Sequence, residues 1–316
     1  MKSLHYLPFF ILIIIIHCRE PYNPVPSYPE VDRHNKLPAD INKQSPDTDA
    51  HPPVLHSNEY QTPVPLSSTI NTRGAEDSPF ILPDGQTLYF FFTPDVRKPA
   101  EEQVMDEVSG VWVSFKTGDS WSEAERVWLQ DADKLALDGA VCVQGDEMWF
   151  ASVREGYTGV NMFTAQWQNG QWGNRQYAGD RLMKEIGIGE VHIHDDTLYF
   201  HADRPGGKGG YDIWKTVRGE SWTDPVNIDP VNSSGMDGFP FVSQDGSELW
   251  LTRTYNGTPA IFRSRRNNGQ WTEPELIVST FAGEPTLDNA GNLYFVHHYY
   301  KNDVMIEADI YMTIKK

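Results

Sequence analysis

Residues 232–251 read NSSGMDGFPFVSQDGSELWL, and the fold depends on the pattern in this stretch. Two apolar runs, around Phe241 and Trp250, flank the dipeptide Asp245-Gly246. Asp-Gly between two apolar runs favours a tight β-hairpin, because glycine readily adopts the backbone conformation that such a turn needs. The stretch therefore predicts two antiparallel strands joined by a short turn.

The same hairpin recurs along the chain. Its aromatic second strand occurs five times, at 88–90, 148–150, 198–200, 249–251 and 293–295. A third apolar strand follows each one, at 111–113, 161–163, 212–214, 260–262 and 309–311. In four repeats a tryptophan after a polar turn marks a fourth strand, at spacings of 51, 50 and 49 residues: Trp121, Trp172, Trp222 and Trp271. Repeats of this length with four antiparallel strands are typical of propeller blades, so we predict an all-β, five-bladed β-propeller.

The fifth repeat ends at Lys316, directly after its third strand. A blade without its outer, fourth strand would expose the unpaired edge of its third strand. Residues 62–67 resemble the fourth strands of other repeats, and the following residues, Ile70–Phe80, align without gaps on Val231–Phe241. We therefore expect residues 62–67 to complete the fifth blade and close the ring, with the propeller spanning residues 62–316.

These residues resemble the WD40-like PD40 repeat. Residues 232–251 carry one part of the resemblance, and RPGGKGGYDIW at 204–214 carries the other. This repeat builds the propeller of TolB-like periplasmic proteins and of many bacterial outer-membrane lipoproteins. The resemblance covers about residues 62–316 and implies the fold. It implies a binding platform more than an activity, although some relatives are enzymes.

The N-terminus has the features of an export signal. Lys2 is followed by an apolar run at 8–16 that is too short to span a bilayer, and Cys18 comes directly after it. The pattern resembles a bacterial lipoprotein signal over residues 1–18, with Cys18 as the acylated residue. His17 departs from the small residue usual before that cysteine, and the alternative is an ordinary signal peptide. We expect a lipid-anchored protein of the bacterial cell envelope, on the outer membrane or facing the periplasm.

Residues 19–61 are polar, rich in proline and without apolar periodicity. Such a segment buries too little apolar surface to fold alone, so we expect an extended tether.

Composition excludes several functions. The 316-residue chain has a formal net charge of −18, which disfavours binding to nucleic acid or to an anionic lipid surface. The second cysteine, Cys142, lies in an apolar strand and is expected to be buried. Two cysteines exclude cysteine-based zinc or redox chemistry. We expect a monomer without a cofactor, attached to the membrane only through its lipid.

Blade geometry brings the candidate site residues together. In an antiparallel sheet, the start of the first strand and the end of the second lie at the same edge. Residues at both places surround one end of the central channel, which we call the channel mouth. The predicted ligand-binding residues there are Glu76, Asp77, Asp138, Arg154, Glu190, His192, Arg204, Asp237, Arg253 and Glu284. An alternative role for each acid is structural, as an acceptor of backbone hydrogen bonds or a partner of a nearby arginine.

The sequence favours binding of an envelope protein or a glycan over catalysis. The alternative is a glycoside hydrolase or polysaccharide lyase with carboxylates at the channel mouth. We find none of the local motifs of the five-bladed glycosidase families, and we assign no catalytic residue. Glu190, His192 and His194 alternate on one strand face and resemble metal ligands, but the sequence does not fix a complete set of ligands, and we expect no metal.

Overall fold

The computed structural model describes residues 28–178 and 190–316. The predicted signal sequence at residues 1–18, with Cys18, lies outside this part of the chain. Within it, the helical elements are a 3-10 turn at Arg33–Lys36 and one short helix, α1 (Ala100–Gln103). No helix among these residues has the length and apolarity needed to cross a membrane.

The remaining elements are strands. Two short ones come first: β1 (Val54–Leu55) and β2 (Val64–Pro65). The first repeat contains β3 (Ala75–Ile81), β4 (Thr87–Thr93), β5 (Gly110–Thr117), β6 (Ser120–Trp121) and β7 (Glu125–Arg126). The second contains β8 (Ala136–Gln144), β9 (Glu147–Arg154), β10 (Asn161–Gln168) and β11 (Gln171–Tyr177). The third contains β12 (Val191–His194), β13 (Thr197–Ala202), β14 (Asp212–Val217) and β15 (Val226–Asn227).

The fourth repeat contains β16 (Asp237–Val242), β17 (Glu248–Tyr255), β18 (Thr258–Asn267), β19 (Gln270–Trp271) and β20 (Glu275–Ser279). The fifth contains β21 (Ala282–Leu287), β22 (Leu293–Lys301) and β23 (Val304–Thr313). Strands within a repeat pair antiparallel with their neighbours in the chain, as in the four-stranded sheets β8-β9-β10-β11 and β12-β13-β14-β15. The prediction of an all-β chain built of four-stranded antiparallel sheets is confirmed.

The first strands of the repeats, which we call the inner strands, surround a common centre. They contact one another in the cyclic order β3, β8, β12, β16, β21 and back to β3. On the outside of the fifth repeat, β2 pairs with β23, with Val64 opposite Met312 and Pro65 opposite Tyr311. This arrangement is that of a β-propeller.

The inner strands share a distortion close to their starts. A β-bulge occurs in four of these strands: β3, β8, β16 and β21. In each, the bulged residue lies two positions before a residue that is paired with the second strand of the same repeat, which is β4, β9, β17 or β22 respectively. The bulged residues have left-handed φ angles of 45°, 50°, 53° and 56°, at Ser78, Ala140, Phe239 and Glu284 respectively. Such angles are uncommon for residues other than glycine, and bulges redirect the side chains around them.

Glu190 occupies the same position in the third repeat. It lies two residues before His192, which is opposite Tyr199 just as Phe241 is opposite Trp250. The bulge position of the five repeats therefore carries Ser78, Ala140, Glu190, Phe239 and Glu284 in chain order.

The core lies between neighbouring sheets and is largely aromatic. Fully buried rings include Trp112, Phe150, Phe200, Trp250 and Phe295. Three of the four repeated tryptophans are at most 9% exposed: Trp121, Trp172 and Trp271. Each large apolar side chain buried in this way contributes about 1.5–3 kcal/mol to folding, so the packing between sheets is the main source of stability.

Residues 28–61 differ from the extended tether expected over 19–61. They lie against the sheets, where the side chains of Arg33, Ile41 and Tyr60 are at most 5% exposed. The strand β1 adds to the outside of the fourth repeat, with Val54 opposite Ser279. The segment is anchored by isolated charged, aromatic and aliphatic side chains rather than by a periodic apolar stripe, and composition does not reveal such anchors. Residues 19–27 lie outside the described part of the chain.

Candidate binding site at the channel mouth

Three of the predicted site acids belong to the scaffold. Glu76, Asp138 and Asp237 are fully buried. Asp237 accepts hydrogen bonds from the backbone N–H of Ser233 at 2.6 Å and from Arg253 Nε at 2.5 Å. Asp138 Oδ1 is 2.7 Å from Arg154 Nη2. Glu76 accepts from the backbone N–H of Thr72 at 2.9 Å. These carboxylates hold the loops that precede the inner strands, and none is accessible to a ligand.

The predicted arginines have a matching structural role. Each guanidinium lies over an aromatic ring of the third strand of its repeat: Arg154 over Phe163 at 4.2 Å, Arg204 over Trp214 at 5.3 Å and Arg253 over Phe262 at 4.9 Å. Cations at these distances from a ring face are attracted by its quadrupole. Arg154 and Arg253 also donate to the backbone carbonyls of Leu129 and Val231. These two arginines therefore connect a scaffold acid, a ring and the incoming loop.

His192 is a core residue. Its side chain is buried, and its ring centroid lies 4.6 Å from that of Phe241 and 6.2 Å from that of Phe80. Burial lowers its pKa to about 3, so the ring is neutral at physiological pH. His194 Nε2 lies 3.3 Å from the carbonyl oxygen of Gln244, toward the opposite end of the strand. The metal-ligand pattern considered for Glu190, His192 and His194 is therefore not formed.

A different set of residues converges at the channel mouth. The backbone N–H of Ser78 donates to Glu284 Oε2 at 2.8 Å, and its hydroxyl donates to Glu190 Oε1 at 2.5 Å. His298 Nε2 lies 3.6 Å from Asp77 Oδ1. One oxygen of Asp77, one oxygen of Glu284 and one ring nitrogen of His298 all lie within 4.8 Å of one another. We call Asp77, Ser78, Glu190, Glu284 and His298 the mouth cluster.

The carboxylates of the mouth cluster perturb one another. Burial raises the pKa of Glu190 to about 7, and the negative charge of Asp77 adds to the rise. Burial also raises the pKa of Glu284 well above its usual range, with further increases from Asp77 and Glu190. Burial pushes the pKa of Asp77 upward too, but the hydrogen bond and charge of His298 outweigh it and the pKa is lowered. Like charges held this close cannot all ionise without cost.

Space at the cluster is small, but a larger cavity adjoins it. The gap between Ser78, Glu190 and Glu284 in the central channel is about 20 Å³. A cavity of about 280 Å³ opens beside it between the fourth and fifth repeats, and its walls include Phe239, Thr252, Pro259, Glu284 and His298. Glu284 faces both spaces. A gap of 20 Å³ is large enough for one water molecule, which needs about 10–15 Å³.

Sequence reasoning found Asp77, Glu190 and Glu284 but did not separate them from the scaffold acids. It did not assign Ser78 or His298 to the site. The two groups of acids differ in their position along the inner strand. The reference residue is the first one after the bulge that is paired with the second strand, such as Phe241. Scaffold acids lie four residues before it, as Asp237 precedes Phe241. Asp77 lies three residues before it, and Glu190 and Glu284 lie two residues before it.

Comparisons with known proteins bear on the fold alone. No protein-family model and no curated protein sequence matches the chain. The chain resembles TolB from Acinetobacter baumannii with 13% identity and a TM-score of 0.45, over 78% of this chain and 56% of that one. It resembles a thermostable family-43 glycoside hydrolase with 13% identity and a TM-score of 0.49, over 78% and 91% of the two chains. A gluconolactonase from Xanthomonas campestris is similar with 12% identity and a TM-score of 0.45, over 93% and 99%.

These values carry no information on function. The WD40-like repeat stays a prediction from the sequence, and any function has to be argued from the mouth cluster itself.

Proposed function

We propose that this chain is a closed five-bladed propeller that acts as a binding protein of the bacterial envelope and takes a divalent cation at its channel mouth. The cyclic contacts of the five inner strands support the blade count. The pairing of β2 with β23 supports closure by an N-terminal strand. In this proposal Asp77, Glu284 and His298 hold the cation, and the adjoining cavity holds the ligand whose oxygen atoms complete its coordination.

The convergence of three carboxylates from three repeats carries the proposal. Asp77, Glu190 and Glu284 meet at one point, and two of them have a raised pKa because burial and their neighbours oppose ionisation. Among the described residues, no lysine or arginine forms an ion pair with Glu190 or Glu284. Buried carboxylates are normally paired or coordinate metals. A bound cation would relieve the repulsion among them.

The donor set indicates which cations to test. Two carboxylates and one imidazole combine hard oxygen ligands with a nitrogen ligand. Carboxylates suit Mg²⁺, Ca²⁺ and Mn²⁺, whereas imidazole suits Zn²⁺ and other transition metals. Mn²⁺ and Zn²⁺ are therefore the first probes, and Ca²⁺ serves as a comparison that favours oxygen ligands only.

The spacing of the carboxyl groups bears on the glycosidase alternative. Catalytic carboxyl groups are about 5–5.5 Å apart in retaining glycosidases and about 6.5–9.5 Å apart in inverting ones. Here the oxygens of Asp77 and Glu284 lie within 4.8 Å, and Ser78 binds both Glu190 and Glu284. The gap of about 20 Å³ between Ser78, Glu190 and Glu284 leaves no room for a sugar ring, so a glycoside could reach Glu284 only from the adjoining cavity of about 280 Å³.

A melting experiment distinguishes the two functions. The chain without residues 1–18 is melted with and without Mn²⁺, Zn²⁺ or Ca²⁺, and in parallel is incubated with a panel of aryl glycosides. We expect stabilisation by Mn²⁺ or Zn²⁺ of about 2.7 kcal/mol at a hundredfold excess over Kd, lost in Glu284→Gln. Glycoside hydrolysis that disappears in Glu284→Gln would instead establish the hydrolase.

Lipid anchoring at the envelope stays part of the proposal, since Cys18 lies outside the described residues. Radiolabelled palmitate should be incorporated into the chain expressed in a bacterial host, and Cys18→Ala should abolish the incorporation. A wild-type chain that takes up no label would rule out acylation, and equal labelling of the wild type and Cys18→Ala would place the lipid on another residue.

A further inference from the structure

A second cavity, of about 640 Å³, lies between the sheets of the first and second repeats. It opens near the turns that join first to second strands and third to fourth strands. The channel mouth is at the opposite end of the strands, where the inner strands begin. Its wall contains six aromatic side chains: Tyr28, Tyr89, Phe115, Trp128, Trp167 and Trp172. We call this cavity the aromatic cleft.

Several of these rings are exposed or stacked at the surface. Trp167 is 43% exposed and Phe115 is 44% exposed. Trp167 meets the buried Trp172 edge-on, with ring centroids 5.2 Å apart. Tyr28 stacks flat on Trp128, with centroids 5.1 Å apart and planes inclined by 5°. Single exposed apolar residues are ordinary, but large rings grouped around one cavity indicate a binding surface.

The aromatic cleft also contains polar groups. Arg126 donates through Nη1 to the carbonyls of Val111 and Val127 and through Nη2 to that of Ser109. Its Nε is buried and has no hydrogen-bond partner among the described residues. Burial lowers the pKa of Arg126 to about 10. The other polar groups around the cleft are Glu125, Asp146, Gln171 and Arg175.

We propose that the aromatic cleft binds a glycan, independently of the mouth cluster. A sugar ring has an apolar C–H face and an edge of hydroxyl groups. The face matches an exposed ring such as Trp167, and the hydroxyls match the mixed donors and acceptors around it. The cavity volume lies within the range of about 300–1,000 Å³ that is usual for small-molecule sites.

Two other ligand classes fit less well. A purely apolar ligand would leave the charged groups around the cleft without water or a partner, which is costly. A nucleic acid also stacks on aromatic rings, but its phosphates would be repelled by a chain with a net charge of −18. The combination of aromatic rings with both hydrogen-bond donors and acceptors therefore favours a sugar.

Intrinsic tryptophan fluorescence tests the proposal, because Trp128, Trp167 and Trp172 lie in the cleft. The chain without residues 1–18 is titrated with the neutral oligosaccharides cellohexaose, chitohexaose and xylohexaose. We expect saturable binding of at least one of them. Trp167→Ala should weaken it at least tenfold, while Trp167→Phe, which keeps a ring for stacking, should retain most of it. Tyr157→Ala removes an equally exposed ring elsewhere on the second repeat and should leave the affinity unchanged.

Three outcomes would overturn the proposal. One is the absence of binding for all three oligosaccharides. Another is an unchanged affinity in Trp167→Ala, with a melting temperature that shows the variant to be folded. The third is loss of binding in Glu284→Gln but not in Trp167→Ala, which would place the glycan at the channel mouth.

Discussion

Arg33 and Glu76 form a buried pair in which Arg33 Nη1 lies 3.3 Å from Glu76 Oε1. The same nitrogen donates to the carbonyl of Ile70 at 2.7 Å. In the fourth repeat, Arg253 binds Asp237 and the carbonyl of Val231, which is the residue that aligns with Ile70. The N-terminal segment therefore supplies the arginine that the first repeat lacks.

We predict that Arg33→Ala destabilises the protein by about 3–5 kcal/mol, because it leaves the buried Glu76 without its cation. The control is Lys134→Ala, which removes a pair with Glu155 in which both side chains are about half exposed, and which should cost far less because surface pairs contribute little to stability. Denaturant unfolding measures both. An equal decrease in the free energy of unfolding for the two variants would show that the pair of Arg33 with Glu76 contributes no more than a surface pair.

Truncation tests the same segment as a whole. A chain starting at residue 58 loses Arg33 and also Lys43, whose Nζ lies 2.5 Å from Glu307 and from Asp309. We expect it to melt well below a chain starting at residue 28. A chain starting at residue 72 also lacks β2 and should aggregate through the exposed edge of β23. Equal melting temperatures for the starts at 28 and 58 would contradict the structural role of residues 28–57.

The scaffold and mouth acids should respond differently to neutralisation. Asp237→Asn weakens buried hydrogen bonds from Arg253 and Ser233, so we predict a loss of about 1–3 kcal/mol and no direct effect on cation binding. Glu190→Gln removes a charge that is repelled by its neighbours, so we predict no loss of stability near pH 7 but weaker cation binding. Unfolding and cation titration of both variants check this. Weaker cation binding in Asp237→Asn together with a loss of stability in Glu190→Gln would show that Asp237 belongs to the cation site and Glu190 to the scaffold.

The mouth cluster also predicts a pH dependence. The folded-state pKa of Glu190 is about 7, above the usual value of 4.5. The folded state therefore keeps a proton that the unfolded chain has lost, and the associated stability is full below about pH 4.5 and lost as pH rises to about 7. Melting temperatures from pH 5 to 8 should fall more steeply for the wild type than for Glu190→Gln. Parallel profiles would show that Glu190 ionises normally in the folded protein.

The strands could be predicted from the sequence because the repeat places each turn and each aromatic strand at a fixed spacing. The alignment of Ile70–Phe80 on Val231–Phe241 also indicated where the chain before the first repeat would pair. The division into scaffold acids and mouth-cluster acids could not be predicted, because a difference of one or two positions at a β-bulge decides whether a carboxylate binds a loop or faces the channel mouth. The contacts of Arg33 and Lys43 join residues far apart in the chain and leave no local pattern.

Calorimetric titration of Mn²⁺ into the chain without residues 1–18 tests the central claim most directly. The mouth cluster predicts one site in the wild type, an affinity at least tenfold lower in Glu284→Gln, and no change in Glu101→Gln, which neutralises an exposed acid on α1. Zn²⁺ and Ca²⁺ are titrated separately under the same conditions, and absence of binding by all three cations would contradict the claim. So would an affinity that is the same in Glu284→Gln and in the wild type.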